Sequence, residues 1–212
     1  MINEIAIILF GVSLIFISTT SRLASYVKML SLQGVLIFLI SLTHFGTMEL
    51  FHALFISFET LAVKALLVPL FIQYIILKIG IRRDTEANIH FFLSLIIATV
   101  ILVFSFILAF VIASVERSIH VLNFAPSVAA ILIGLFIMTT RKKLITHVMG
   151  YLVMENGIFL LSLALATEVP IIVEVGVLLD IFIGVFLMGI FLNKIQSTLE
   201  SSEIKELAQL AD

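Results

Sequence analysis

The run Phe55-Ile-Ser-Phe-Glu59-Thr-Leu-Ala-Val-Lys64-Ala-Leu-Leu-Val-Pro69 decides how this chain is read. An acid, a base and a proline interrupt a stretch that is otherwise apolar, and that stretch continues on both sides from Glu49 to Ile79. Apolar runs of similar size recur along all 212 residues, which are 62% hydrophobic and 12% charged, with a mean hydropathy of +1.28. An ordinary soluble domain is about 45–50% apolar and about 25% charged. This chain lacks the polar surface to face water on all sides, so lipid is its solvent. A hydrocarbon core of about 30 Å needs roughly 20 apolar residues per helix. The pattern predicts an all-α polytopic membrane protein with seven transmembrane helices, at residues 3–20, 25–43, 49–79, 88–114, 120–140, 144–166 and 171–194.

The positions of the basic residues orient it. Arg22 and Lys28, then Lys78, Arg82 and Arg83, then Arg141, Lys142 and Lys143, and finally Lys194 and Lys205 all fall on one side of the seven spans. Arg117 is on the other side, and Lys64 is within a span. The positive-inside rule then places the N-terminus outside and the C-terminus in the cytoplasm, which requires an odd number of spans. The N-terminus has no basic residue before its first apolar run and no small-residue cleavage site after it, so it reads as a retained span. No Pro/Gly/Ser linker divides the chain, which reads as a single membrane domain over 1–212. Its tail, 195–212, carries Leu199, Ile204, Leu207 and Leu210 at roughly helical period and is expected at the cytoplasmic interface or against a partner. A net charge of −2 argues against a nucleic-acid partner. With no cysteine, thiolate-held clusters, disulfides and a cysteine nucleophile are excluded.

Ionisable residues inside spans are functional candidates, because a charge at the helix centre costs about 2.5–3.5 kcal/mol. The candidates are Glu59, Lys64, Glu155, Glu174 and Asp180. Pro69 cannot donate to the carbonyl of Ala65, so the helix should kink beside Lys64, with the freed carbonyl and the ammonium sharing a water. Glu59 and Lys64 are five positions apart, about 140° around an α-helix, and so should find partners on other helices. His52 and Glu59 share a face. His147, Tyr151 and Glu155 form a stripe at i, i+4 and i+8 that, with waters, is a possible proton relay; the bland alternative is an interfacial His147. Glu155-Asn156-Gly157, mid-span, must face protein or water. Glu174 and Asp180 face different neighbours, Asp180 near mid-depth and Glu174 nearer the outer surface. An ammonium that approaches or retreats changes how tightly a buried carboxyl holds its proton.

The segments Gly150-Tyr-Leu-Val-Met-Glu155-Asn-Gly157-Ile-Phe-Leu-Leu and Val173-Glu174-Val-Gly176-Val-Leu-Leu-Asp180-Ile-Phe-Ile-Gly184-Val, with Lys64-Ala-Leu-Leu-Val-Pro69, resemble the hydrogenase-4 component E family. These are membrane subunits of group 4 [NiFe]-hydrogenase and formate hydrogenlyase-type complexes. The part 120–194 is similar to the three-helix K subunit of respiratory complex I and to the C subunit of Mrp antiporters. The four helices of 1–114 have no counterpart there. That likeness carries Glu155 onto the membrane glutamate of the K subunit's second helix. It carries Asp180 onto the glutamate of the third, where aspartate is one methylene shorter. The resemblance implies a non-catalytic subunit in a prokaryotic plasma membrane, moving protons or another cation beside antiporter-like subunits and a hydrogenase-like membrane arm. It implies no cofactor in this chain; iron–sulfur clusters and, in a true hydrogenase, a NiFe site would belong to soluble partner subunits. Three other readings compete: a subunit of a Mrp-type cation/proton antiporter, a haem-binding cytochrome b using histidines such as His44 and His52, and a stand-alone transporter. The cytochrome is disfavoured by histidines lying near span ends, and the transporter by the odd span count and the lack of an inverted repeat.

Overall fold

The computed structural model describes residues 2–43, 50–79, 89–115 and 120–165, and beyond these Phe182, Phe186 and Gly189, each helical. Among the described residues every regular element is a helix. In chain order they are α1 (Ile2–Thr19), α2 (Leu23–Leu42), α3 (Leu50–Phe58), a π-helical segment (Glu59–Leu67), α4 (Val68–Ile79), α5 (Phe91–Val115), α6 (Val121–Thr140) and α7 (Leu144–Leu165). The π segment joins α3 to α4 without a break, so these three make one span. Among the described residues, six helices are therefore long and apolar enough to cross a membrane. Each matches a span expected from the sequence to within three residues. Most of the expected seventh span, with Glu174 and Asp180, lies outside the described residues, as does the tail 195–212.

Packing follows side-chain size. Helices in lipid gain nothing from burying one apolar surface rather than another, so the closest pairs form where small residues let backbones approach. α6 and α7 form the most extensive pair. A Cβ on Gly134 of α6 would meet the Gly150 carbonyl oxygen at 2.6 Å, and one on Gly157 of α7 would meet the Ser127 carbonyl oxygen at 2.8 Å. α2 packs against the π segment in the same way, with Gly34 so close that a Cβ there would lie 2.6 Å from the backbone nitrogen of Ala65. α5 is held by a stripe of small buried residues, Ser94, Ala98, Ser105 and Ala109.

One loop residue ties the bundle together. Arg141, at the end of α6, is buried and donates from Nη2 to the carbonyl oxygens of Ser18 and Thr20, each at 3.1 Å. The last carbonyls of a helix lack intrahelical donors and carry partial negative charge, so a guanidinium is a fitting cap. The contact brings the C-terminal ends of α1 and α6 to one face of the bundle.

Candidate functional site

The site grows from the π segment. An i→i+5 ladder brings residues five apart closer to one face than α-helical turns do, and the N–H of Val68 donates to the carbonyl of Val63 in this register. Glu59 and Lys64 are five apart, and Lys64 Nζ lies 3.7 Å from Glu59 Oε1. α-Helical turns throughout would have set the two about 140° apart, and the π register brings them nearer than that expectation allowed, while the partner on another helix expected for Lys64 is present as well. The Ala65 carbonyl, to which Pro69 cannot donate, has a partner on a neighbouring helix. The hydroxyl of Ser31 on α2 donates to it at 2.6 Å, and the glycine three residues on, Gly34, is what lets α2 come that near.

The stronger partner of Lys64 comes from α7. Lys64 Nζ donates to Glu155 Oε1 at 2.5 Å, across 91 residues of sequence. Glu59 and Glu155 are each 2% exposed and Lys64 5%, so all three charged groups are inside the bundle. The ring of Phe159, one turn beyond Glu155, has its centroid 5.5 Å from the ammonium, close enough for a cation–π contact. Breaking a buried pair of this kind by removing one partner costs about 3–5 kcal/mol.

Beside the ion cluster runs a chain of uncharged groups. Asn156 Nδ2 donates to Gln33 Oε1 at 3.2 Å, Gln33 Nε2 donates to Ser13 Oγ at 3.0 Å, and Ser13 Oγ donates to the Phe10 carbonyl at 2.6 Å. All three side chains are buried, and they link α7 through α2 to α1. Lys64, Glu155 and Asn156, with Leu30, Val68 and Leu152, line a cavity of ≈ 10 Å³. That is room for about one water.

Of the residues singled out from sequence, the structure brings together Glu59, Lys64 and Glu155. His147 and Tyr151 line an apolar groove with Met138, Val148, Phe182 and Phe186. The Nδ1 of His147 lies 2.9 Å from the carbonyl of Lys143, one turn back. His52 is on α3, with its side chain outside the described set. Glu174 and Asp180 also lie outside it. Sequence reasoning missed Gln33, Ser13, Ser31 and Gly34. The signal was there, since Leu32-Gln33-Gly34 in the middle of α2 is an amide beside a glycine, like Asn156-Gly157. It carries no charge, and so stands out less from an apolar run than Glu59, Lys64 or Glu155 does.

Comparison with known proteins finds relatives at low identity. The chain is 26% identical over 192 residues to the uncharacterized protein Rv0085 of Mycobacterium tuberculosis, covering 90% of this chain and 87% of that one. It is 27% identical over 151 residues to hydrogenase-4 component E of Escherichia coli K12, covering 69% and 68%, and it matches the Shigella flexneri protein of that name equally. No family model matches the chain, and no solved structure matches it. The chain is thus similar to a hydrogenase-4 component. Six apolar spans and that similarity make it a multi-pass membrane protein and fit a non-catalytic subunit of a hydrogenase-like complex.

Proposed function

We infer that this chain translocates protons, or another cation, as a subunit of an energy-converting hydrogenase-like complex in a prokaryotic plasma membrane. The observation behind this is the buried Glu59–Lys64–Glu155 cluster. Two carboxylates facing one ammonium hold a place for one proton: the formal charge of the cluster is −1 without it and 0 with it. A lysine that shifts between the two carboxylates changes which of them holds the proton. The lysine stands in a π segment, a register found frequently at functional sites.

In this reading the chain has seven spans, an outside N-terminus and a cytoplasmic C-terminus. Residues 1–114 supply Glu59 and Lys64, while 120–194 form the part similar to the complex I K subunit. Asp180 and Glu174 extend the proton path from the last span, and His52, His147 and Tyr151 are its candidate relays. The antiporter-like subunits and the hydrogenase-like arm are partners, and the iron–sulfur clusters and any NiFe site are theirs. The cytochrome and stand-alone transporter readings are set aside.

The test is Glu155→Gln in the native complex. It should keep assembly, read through a C-terminal tag, and abolish ion translocation in membrane vesicles; wild-type translocation would overturn the assignment. Mass spectrometry of what the tag retains separates the main alternative. Hydrogenase-like and iron–sulfur subunits support the redox-coupled reading. Antiporter subunits alone would instead make the chain part of a Mrp-type cation/proton antiporter using the same carboxylates.

A further inference from the structure

The chain Ser13–Gln33–Asn156 has a direction, and the direction is set at one end. A serine hydroxyl has a single proton, and Ser13 gives it to the Phe10 carbonyl at 2.6 Å. Toward Gln33 it has only a lone pair to offer, so Gln33 must present its amide nitrogen there, as it does at 3.0 Å. Gln33 Oε1 therefore points the other way, and Asn156 must donate to it, as it does at 3.2 Å. With Nδ2 so engaged, the amide of Asn156 turns its oxygen branch away from Gln33. Asn156 is also one wall of the small cavity that holds Lys64 and Glu155. Neither Ser13 nor Gln33 is among the residues lining that cavity. An amide chain of this kind conducts no protons, so its effect on the site is one of orientation.

We propose that Ser13 and Gln33 are positioning residues that hold Asn156 Oδ1 as a fixed acceptor at the Lys64–Glu155 cavity, and that this cavity binds a single water molecule. The cavity of ≈ 10 Å³ is large enough for about one water, which needs two to four polar partners. Three of the lining residues carry such a group, the Lys64 ammonium, the Glu155 carboxylate and the Asn156 amide. An acceptor fixed on the Asn156 side commits one water proton to that amide and turns the other toward the carboxylate. The water oxygen then faces the ammonium. Such a water is the natural carrier of a proton to or from Glu155. This deepens the proposed function and rests on it only for the carrier role; the water site and its polarity stand on the geometry.

The test is acid–base difference infrared spectroscopy on the chain purified with its native partners, in ordinary and in ¹⁸O water. The wild type should show an O–H stretching band that moves with ¹⁸O and that Asn156→Leu removes. Gln33→Leu and Ser13→Ala should each shift that band, whereas Ser13→Thr, which keeps the hydroxyl, should leave it in place. A wild type without a band of this kind, or a band at the wild-type position in Gln33→Leu, overturns the proposal. Ser13→Ala removes one oxygen and little else, so it is the deciding variant if Gln33→Leu fails to assemble: an unshifted band there also overturns the proposal. If Glu155→Gln translocates at the wild-type rate while the band still follows Ser13 and Gln33, the proton-translocating role fails and the water site stands. If Glu155→Gln is inactive and the band ignores Ser13 and Gln33, the reverse holds.

Discussion

α5 and α7 are of similar length and opposite construction. α5 has no charged residue in its 25 positions, and only 17% of its span is buried in the bundle. α7 carries His147, Tyr151, Glu155 and Asn156, and 67% of its span is buried. In water the more apolar helix would be the inner one. Here the order is inverted because lipid already solvates Phe, Leu and Ile, so burial is reserved for what lipid cannot solvate. α5 meets its neighbours α1 and α6 along its small-residue stripe and turns its Val side chains and all its Phe side chains but Phe106 outward. α7 brings an acid and an amide to partners on other helices.

Variants that cross this division should be ranked by how much polar pairing they undo. The largest loss is expected for Lys64→Leu, which leaves Glu59 and Glu155 buried without their ammonium. At about 3–5 kcal/mol, the amount of chain in the membrane should fall sharply on an immunoblot. Changing all three members together, Glu59→Leu, Lys64→Met and Glu155→Met, should restore the amount but not translocation. Recovery of both would mean the cluster is structural only.

Close backbone contacts come next. Gly34→Leu forces α2 away from the π segment, and Gly157→Leu forces α7 from α6, each at a cost of about 1–3 kcal/mol or more. Gly11 has nothing within 4 Å of where its Cβ would be, so Gly11→Leu is the matched control and should leave the detergent melting temperature unchanged. Arg141→Gln should be milder. It weakens the link from α6 to the Ser18 and Thr20 carbonyls and should lower stability by about 1–2 kcal/mol, with a corresponding drop in melting temperature. The smallest effect is expected on α5. Phe104 is 53% exposed, and Phe104→Leu should stay within about ±0.5 kcal/mol. A large effect there would mean that a partner, not lipid, covers that face.

The six spans among the described residues were legible because hydropathy is a local property: each needs only its own roughly 20 residues to be recognised. Glu59, Lys64 and Glu155 were legible as candidates for a related reason, since a charge in an apolar run stands out without knowledge of its partner. Their pairing was not. The geometry expected for Glu59 and Lys64 assumed an α-helix, and the π register that brings them within 3.7 Å is a difference of one residue per hydrogen bond that composition does not reveal. Gln33 and Ser13 escaped because uncharged polar residues are common in spans, and only a neighbour makes one of them part of a network.

Alone, then, the sequence determined that this is a helical membrane protein and which of its residues are costly to leave in lipid, because both follow from the transfer of individual side chains out of water. The tertiary structure decided what each costly residue does about it. Lys64 meets Glu155 across 91 positions, and Asn156 meets Gln33 across 123. Both contacts depend on small residues such as Gly34, Gly134 and Gly157 that let particular helices touch. Hydrogen bonds and ion pairs are short-ranged and directional. Which donor finds which acceptor is settled only when the helices have packed.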